Sequence, residues 1–405
     1  MTVVVRMTSE KKQNVVIVGG GAGGLILANS LARREEFSVT LINDTPYHYY
    51  LPQLLQIAFR GDDSQLKREL ADLVKKDVKL IIDSVTSVDL NNRTVTTSSG
   101  KTFSYDIVAI APGLSIDHAA VKGNEKLVSL YGDFHSTPEN AWRAFNTISS
   151  MKKGRLVVAV ADPGHRCPPS PYEGVLLADE AFRARGIRDQ IEITIAVPYP
   201  RAYPAETFNE VIEPVLKERG INIETFFTVD TVDLDNKKMT SLEGGELPFD
   251  AAIVVPIHKG PKINILPEDI KNEDGFIKAD KLTNRVGNFD DAFAIGDASA
   301  ASNARTGVTA HLQAKVVEKR LLGFDARNTG RTNCPTEIGM ELGTFVISDF
   351  GHPSVKLPPK SVFFIMKRFF ADTYWDVLKH PEFWDPIFDA YFENTSPERL
   401  WKLFP

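Results

Sequence analysis

Short β-branched runs alternate with helical apolar periodicity at the start of the chain. From residue 14 the sequence reads N-V-V-I-V, then a glycine cluster, then L-I-L-A-N-S-L-A with apolar residues at helical spacing. This pattern predicts a buried strand, a tight turn and a helix. The next apolar run, F-S-V-T-L-I-N-D, predicts a second strand. Strands that alternate with helices indicate the α/β class with a parallel sheet.

The glycine cluster predicts a dinucleotide-binding turn. A G-x-G-x-x-G motif between a strand and a helix lets the backbone approach a pyrophosphate, which the helix N-terminus then binds. The second strand ends at Asn43 and Asp44, where such folds place an acid that binds a ribose hydroxyl. Because an asparagine occupies the usual position, we expect a weaker or water-assisted ribose contact. The turn residues assigned to the cofactor are Gly19, Gly21, Ala22 and Gly24.

Two later apolar runs also end in glycine. The segment S-Y-D-I-V-A-I-A-P-G ends at Gly113, and F-D-D-A-F-A-I-G-D-A contains Gly296 and Asp297. They resemble the second and third FAD motifs of the flavoprotein disulfide reductase superfamily. The resemblance implies that FAD is the cofactor and that Asp297 contacts its ribityl and phosphate region. Residues 305–320, which include Gly307, have helical periodicity and are expected to aim a helix N-terminus at the isoalloxazine ring.

A second unit, near residues 150–280, repeats the alternation of strands and helices without a glycine motif. Related flavoproteins place an NAD(P)H domain here. In this chain the turn at residues 162–174 reads D-P-G-H-R-C-P-P-S-P-Y-E-G, and proline offers no N–H to a phosphate. The following strand ends in V-P-Y-P-R, with no acid to bind a ribose. We therefore expect an electron donor other than a nicotinamide.

Composition excludes several classes of protein. With 47 Lys and Arg against 53 Asp and Glu, the net charge is −6, which argues against nucleic acid as the main partner. The two cysteines, Cys167 and Cys334, are too few for a disulfide scaffold or for a zinc site built from cysteine pairs, and no metal is expected. Taken alone, two such cysteines are commonly buried small apolar residues. They also suffice for one functional pair.

The motif C-P-P-S-P-Y-E-G at residues 167–174, V-V-P at residues 254–256 and a cysteine after the third FAD motif occur together. In this combination the chain resembles the sulfide:quinone oxidoreductases and the flavoprotein subunit of flavocytochrome c sulfide dehydrogenases, over roughly residues 14–350. The resemblance implies that Cys167 and Cys334 form a redox-active bridge over one face of the flavin. It implies oxidation of sulfide to polysulfide or sulfur, with two electrons passed to a membrane quinone. A third cysteine of some relatives is absent, so FAD is expected to be non-covalent.

Two further side chains near Cys167 are candidates for proton chemistry. Glu173 matches the glutamate of the family motif and is the proposed acid or base for protons on sulfide or thiol. The alternative is a surface carboxylate at the start of a helix. His165 is proposed to stabilise a thiolate, against the alternative of a solvated loop histidine.

The C-terminal segment, residues 361–405, carries three of the four Trp and many Phe and Tyr. It predicts an amphipathic helix that lies at a membrane surface, with the alternative that the helix packs on the body of the protein or on a second subunit. One helical face contains Phe363, Phe370, Tyr374 and Leu378, with Phe364 and Trp375 alongside. Interfacial charge is assigned to Lys367, Arg368 and Lys379. The candidate quinone contacts are Phe345, Phe363 and Phe364.

These observations predict a peripheral protein of the cell membrane. The opening M-T-V-V-V-R-M-T-S-E-K-K-Q lacks the apolar run of a signal peptide, and no stretch is apolar enough to span a bilayer. The sequence leaves open which side of the membrane the protein binds and whether it forms a homo-oligomer. The leading alternative is a type II NADH:quinone oxidoreductase, which shares the FAD fold, the tail and the acceptor. Others are a flavocytochrome-type subunit and a flavin-binding scaffold without turnover.

The predicted architecture is two doubly wound Rossmann-like domains of the FAD and NAD(P)-binding type in tandem, followed by an aromatic-rich helical tail. The FAD-binding domain is expected in two parts, residues 14–120 and 285–330. A pseudo-Rossmann domain on the substrate side interrupts it at residues 121–284. Residues 331–405 are assigned to the quinone site and to membrane anchoring.

Overall fold

The computed structural model describes residues 12–301 and 304–403. Among these residues, the first segment of the chain forms an α/β unit with three helices and ten short strands. Its helices are α1 (Ala22–Leu31), α2 (Gln53–Arg60) and α3 (Leu70–Leu73). Its strands are β1 (Gln13–Val18), β2 (Phe37–Asn43), β3 (Tyr47–Tyr49), β4 (Lys67–Glu69), β5 (Val78–Ile82), β6 (Val85–Asp89), β7 (Thr94–Thr97), β8 (Thr102–Ser104), β9 (Ile107–Ile110) and β10 (Ser115–Asp117).

The middle segment forms a second α/β unit. Its helices are α4 (Asn124–Tyr131), α5 (Pro138–Ser150), α6 (Ser170–Ala184) and α7 (Glu206–Glu218). Its strands are β11 (Gly154–Val160), β12 (Ile191–Ala196), β13 (Ile221–Glu224), β14 (Val229–Asp233), β15 (Lys238–Ser241), β16 (Glu246–Pro248), β17 (Ala251–Val255) and β18 (Ile257–Lys259). Parallel strands join in the order β13-β12-β11-β17. The apolar runs of β11, β12 and β17 are buried on both faces, as expected for a sheet covered by helices, whereas β13 forms the edge.

The chain then returns to the first unit through β19 (Asn264–Leu266), β20 (Ala292–Ala294) and α8 (Gly307–Leu321). Strand β20 pairs in parallel with β9, which completes the order β20-β9-β1-β2-β5. Strand β19 pairs with β6, so the return begins at Asn264 rather than near residue 284, where the sequence analysis placed the boundary. The sequence pattern assigns the short apolar run of β19 to the middle unit, because no local feature of the run shows that it pairs with β6. Two parallel α/β sheets confirm the predicted fold class.

The C-terminal segment consists of an antiparallel hairpin and helices. They are β21 (Thr332–Gly339), β22 (Leu342–Ser348), α9 (Ser361–Lys379), α10 (Pro381–Asn394) and α11 (Pro397–Leu403). Trp375 and Leu378 of α9 are buried in the core of the first unit, and Asn29 of α1 donates a hydrogen bond to the Leu378 carbonyl at 2.7 Å. No helix in residues 12–301 or 304–403 is both long and apolar enough to cross a membrane.

This packing corrects the prediction that the face of α9 with Phe370, Tyr374 and Leu378 lies at a membrane surface. Tyr374, Trp375 and Leu378 turn toward the body of the protein, and Phe370 packs on the hairpin with Phe363. The alternative of a helix that packs on the body therefore holds for this face. Exposed apolar side chains lie on other faces of α9 and α10: Val362, Ile365, Phe369, Phe383 and Ile387.

Candidate active site

The turn between β1 and α1 brings backbone atoms together where only glycine fits. Gly19 has a φ of 100°, and a Cβ built there would lie 2.4 Å from the carbonyl oxygen of Ala111. A Cβ on Gly24 would lie 2.0 Å from the carbonyl oxygen of Gly19. Gly21 precedes α1, which begins at Ala22, and the N–H groups of a first helical turn are available to an anion. The turn therefore has the backbone shape that accommodates a pyrophosphate.

Asn43 fixes this turn from the end of β2. Its Oδ1 accepts a hydrogen bond from the Gly20 N–H at 2.7 Å, and its Nδ2 donates to the Thr45 carbonyl at 2.8 Å. An amide oxygen keeps a second lone pair, which a ribose hydroxyl can use. Asp44 beside it is exposed. The ribose contact of these two residues stays a prediction, and the structure adds a positioning role for Asn43.

The other residues assigned to the cofactor follow strands at the same edge of the sheet. Because β9 and β20 run parallel to β1, their carboxyl ends lie beside the glycine turn. A Cβ built on Gly113 or on Gly307, the first residue of α8, meets no described atom within 4 Å. Gly296 begins a short 3-10 turn that contains Asp297, and burial raises the pKa of that carboxyl. Close backbone at the turn and open space at Gly113 and Gly307 fit FAD.

The structure brings Cys167 and Cys334 together. Cys167 lies in the loop between β11 and α6, and Cys334 lies on β21. Their thiols are in hydrogen-bonding contact and are not joined by a disulfide. Cys334 is buried, whereas Cys167 is half-buried. The hydrogen bond from Cys167, together with burial, raises the pKa of the Cys334 thiol well above its ordinary value.

The loop of Cys167 is tied to the third FAD segment. The Cys167 N–H donates to the Arg305 carbonyl at 3.0 Å, and the Arg305 guanidinium donates to the Gly164 carbonyl at 2.7 Å. Cys167 itself has a φ of 54°, a left-handed conformation that is uncommon for a residue with a Cβ. Since Arg305 lies just before α8, these bonds hold the sulfur pair beside the cofactor segment.

Glu173 lies in a buried cluster of charges next to the cysteines. It occupies the first turn of α6, where its Oε1 accepts a hydrogen bond from the Glu337 N–H at 2.6 Å and another from the Lys367 ammonium. The Lys367 ammonium lies 3.6 Å from the Glu337 carboxylate, which also pairs with Arg60 at 2.5 Å. The carboxylate is enclosed, which contradicts the alternative of a surface group that merely starts a helix.

The charges in this cluster order the proton affinities of its members. Burial alone would lower the pKa of Lys367, but Glu173 and Glu337 more than offset it, so the pKa is raised. Burial would raise the pKa of Glu337, but Lys367 and Arg60 together lower it. Glu173 has fewer cationic partners, and burial raises its pKa above the ordinary value. Glu173 is therefore the carboxylate of the cluster that takes up a proton most readily.

Lys367 corrects the sequence analysis, which assigned it to interfacial charge. Its side chain is only 15% exposed. The signal was present in the sequence, since Lys367 follows Phe363 by four residues and precedes Phe370 by three, on the same helical face. A lone cation on an apolar face indicates a buried partner. Glu337 and Arg60 gave no such signal, because their partners lie far along the chain.

His165 is buried beside the Cys167 loop and is not a solvated histidine. Burial lowers its pKa to about 4, so the ring is neutral at neutral pH. A neutral ring cannot stabilise a thiolate by its charge, and the role of His165 toward the thiolate stays a prediction. The neighbouring Arg166 carries the positive charge of this loop instead.

The three candidate quinone contacts differ in their surroundings. Phe345 on β22 is fully enclosed, and its ring centroid lies 5.6 Å from that of Phe363 and 6.3 Å from that of Phe370. Phe345 is therefore part of the core between the hairpin and α9, and its quinone contact stays a prediction. Phe363 and Phe364 lie half-buried on the first turn of α9, near Lys367, and stay predictions.

Known proteins resemble the chain in sequence. The pyridine nucleotide-disulphide oxidoreductase family matches residues 13–156. The mitochondrial sulfide:quinone oxidoreductase of Dictyostelium discoideum is 26% identical over 362 residues, which cover 84% of this chain and 79% of that protein. Its counterpart in Schizosaccharomyces pombe is 24% identical over 83% of this chain and 76% of its own length.

Solved structures resemble the chain in fold. The sulfide:quinone oxidoreductase of Aquifex aeolicus has a TM-score of 0.79 and 22% identity, covering 91% of each chain. The NDH2 structure from Plasmodium falciparum has a TM-score of 0.67 and 14% identity, covering 88% of this chain and 94% of that one. The matches in sequence and in fold point to the same group of proteins as the motif around Cys167 and the FAD motifs. The chain is therefore similar to sulfide:quinone oxidoreductases in sequence over most of its length, and it shares their fold.

Proposed function

We propose that this chain is a flavoenzyme that oxidises sulfide through Cys167 and Cys334 and passes two electrons to a quinone. FAD is the cofactor, and when bound it accepts two electrons from the sulfur pair and delivers them to the quinone. The observation that carries the proposal is the contact of the Cys334 thiol with the thiol of Cys167, whose loop is hydrogen-bonded to Arg305 just before α8. Both cysteines belong to this pair, so neither is available for a thioether, which supports non-covalent FAD.

The reaction begins from the oxidised pair. Hydrosulfide attacks Cys167, the more accessible of the two sulfurs. The bond between Cys167 and Cys334 breaks, a new sulfur–sulfur bond forms on Cys167, and Cys334 leaves as a thiolate. A second hydrosulfide attacks the outer sulfur of the persulfide, the bond between that sulfur and Cys167 breaks, and hydrogen disulfide is released. Both cysteines are then reduced, which is the state from which FAD, when bound, would take up two electrons.

The buried charge cluster supports this step from the Cys334 side. A thiolate at this depth is costly because the hydrogen bond with Cys167 and burial both raise the pKa of Cys334, whereas the positive charge of Lys367 opposes that rise. Glu173 lies beside both groups and has a raised pKa, so it can hold a proton near the sulfur and give it up again. We assign Lys367 to charge balance and Glu173 to proton transfer.

The acceptor side is assigned to α9 and α10. Val362, Ile365 and Phe369 are exposed on α9, and Phe383 and Ile387 are exposed on α10. Exposed large apolar residues on adjacent helices are typical of a surface that lies in the headgroup region of a bilayer. A lipid-soluble quinone would reach Phe363 and Phe364 from this surface. The membrane that carries the protein is proposed to be one that contains quinone.

The experiment is anaerobic stopped-flow absorbance of the purified holoprotein mixed with sulfide, with NADH and then with a short-chain quinone. Sulfide should bleach the flavin, quinone should restore it, and Cys167→Ser and Cys334→Ser should each abolish bleaching while retaining FAD. The NADH arm serves as the control. Fast bleaching by NADH with indifference to sulfide would overturn the proposal.

The NADH alternative receives no support from the turn after β11. Asp162 turns back to accept a hydrogen bond from the Gly164 N–H at 2.7 Å, and Pro168 and Pro169 offer no N–H. The fold shared with NDH2 is common to both readings and does not separate them.

A further inference from the structure

Three histidine rings pack against one another beside the loop that carries Cys167. The ring centroids of His135 and His165 lie 5.8 Å apart, those of His135 and His258 lie 5.4 Å apart, and those of His165 and His258 lie 6.3 Å apart. Each residue is at most 3% exposed. We call these residues the histidine cluster.

The histidine cluster is connected to Cys167 by hydrogen bonds. His135 Nε2 bonds to the Ser170 hydroxyl at 2.9 Å, and the Ser170 N–H donates to the Cys167 carbonyl at 2.9 Å. The Arg166 guanidinium donates to the His135 carbonyl at 2.6 Å. His165 precedes Cys167 by two residues. The cluster therefore borders the loop at which the proposed reaction begins.

Backbone carbonyls fix the tautomers of two of the rings. His165 Nδ1 faces the Arg166 carbonyl at 3.0 Å, and His258 Nδ1 faces the Pro256 carbonyl at 2.8 Å. A carbonyl only accepts, so each Nδ1 carries the hydrogen and each Nε2 carries a lone pair. His258 Nε2 and His135 Nδ1 are buried and have no hydrogen-bond partner among the described residues. The Nε2 of His258 is therefore a buried acceptor without a donor among the described residues.

Burial keeps the rings of the resting cluster neutral. Burial lowers the pKa of His165 to about 4 and that of His258 to about 3, and it lowers the pKa of His135 as well. Rings in contact also repel a second proton. The charged groups that face the cluster are Asp162, Arg166 and Arg305, and Asp133 accepts the backbone N–H of His135.

A small neutral molecule with an acidic hydrogen fits this environment, and hydrogen sulfide is the one that the proposed function supplies. We propose that the Nε2 atoms of His165 and His258 form the base that ionises hydrogen sulfide before Cys167 is attacked. One S–H bond breaks, one N–H bond forms, and hydrosulfide remains beside Arg166. No electrons change hands in this step, and the inference rests on the proposed function.

The anion that forms makes the proton transfer feasible. An opposite charge nearby favours the protonated imidazole, and the guanidinium of Arg166 stabilises the hydrosulfide. Neutral hydrogen sulfide also enters a buried site at lower cost than its anion. The cluster therefore allows the enzyme to use both forms of its substrate.

The test is the pH dependence of the reaction with sulfide. The holoprotein is mixed anaerobically with sulfide from about pH 5.5 to about pH 8.5, and flavin bleaching is followed together with persulfide mass on the quenched protein. In the wild type, the second-order rate constant referred to total sulfide should stay level below the first pKa of hydrogen sulfide. In His165→Gln and His258→Gln it should follow the hydrosulfide fraction and fall about tenfold per pH unit.

Controls separate this role from a structural one. His352→Gln, at a side chain that is 40% exposed, should keep the wild-type profile. A loss of rate that is equal at every pH in both cluster variants, or a wild type that itself follows hydrosulfide alone, would overturn the inference. Absence of bleaching by sulfide at every pH would instead overturn the proposed function.

Discussion

At the scale of single residues, the structure depends on one buried cation that is contributed by the tail. Lys367 contacts two carboxylates from different parts of the chain, Glu173 on α6 and Glu337 on β21. A buried charge is expensive without its partner, so each member makes the others tolerable. The pair that borders the cysteines should therefore be strongly coupled.

We expect Glu173→Gln and Lys367→Met each to lower the free energy of unfolding by about 3 kcal/mol, because each leaves a buried group without its partner. The double variant should lose less than the sum, with a coupling of about 1–3 kcal/mol. Denaturant unfolding of the FAD-loaded protein measures this double-mutant cycle.

The exposed pair of Glu398 and Lys402, four residues apart on α11, is the matched control. Its coupling should be about 0.3–0.5 kcal/mol. Equal coupling in the two pairs would show that burial of Lys367 adds nothing.

Individual residues were predictable where the local sequence states the constraint. Gly19 and Gly24 belong to a motif whose spacing already encodes a backbone approach, and the structure shows that approach. The contact between Cys167 and Cys334 followed from a family resemblance. The partners of Lys367, by contrast, depend on how three separate elements pack, and no local pattern records that packing.

At the scale of elements, α9 is bonded to the glycine turn through one histidine. The Tyr374 hydroxyl lies 2.7 Å from His48 Nε2, and His48 Nδ1 donates to the Gly20 carbonyl at 2.7 Å. Burial lowers the pKa of His48 to about 4. A helix of the tail therefore shares a hydrogen-bond chain with the turn that accommodates the cofactor.

The hydrogen-bond chain through His48 predicts that the folded protein loses stability in acid. His48 is neutral in the native state down to about pH 4, whereas the unfolded chain binds a proton below 6.5. The unfolded state thus holds more protons between these values, so stability falls as the pH drops through them, by up to about 1.4 kcal/mol per unit. His48→Gln should reduce this dependence without removing it, because the histidine cluster contributes in the same direction. Urea unfolding at several pH values measures it, and identical slopes would contradict the assignment.

The elements themselves were largely predictable, but the orientation of α9 was not. Its length and aromatic content follow from the sequence, whereas a helix with apolar residues on several faces can turn any of them inward. The choice is made by Asn29, His48 and the hairpin, which lie hundreds of residues away or on another element. A helical pattern cannot specify such distant partners.

At the scale of the whole molecule, the exposed apolar side chains of α9 and α10 form the surface assigned to the membrane. Each such side chain contributes about 1.5–3 kcal/mol when it is fully buried. Because the opposite face of α9 is occupied by the body of the protein, substitutions on this surface should leave the fold intact.

We expect the double variant Ile365→Glu with Phe369→Glu to bind anionic phospholipid vesicles at least about tenfold more weakly, because it places two charges where apolar groups would be buried. Cosedimentation measures binding, and bleaching by sulfide should be unchanged. Leu242→Glu, at a side chain that is 70% exposed on the middle unit, is the control. Similar losses in both variants would contradict the assignment of this surface.

The overall architecture followed from alternating strands and helices, while the return of the chain at Asn264 did not. Which strand pairs with β6 is decided by long-range packing.

The separation of the two cysteines along the chain gives the sulfur pair a second consequence. In its oxidised form the pair would close a covalent ring that contains α6, α7 and α8, and in its reduced form that ring is open. Closing a ring of this size removes entropy from the unfolded chain equivalent to about 5 kcal/mol. In the proposed reaction, sulfide opens this covalent ring in every turnover, and reoxidation by quinone closes it again. The free energy of unfolding is then highest when sulfide is absent and the cysteine pair stays oxidised.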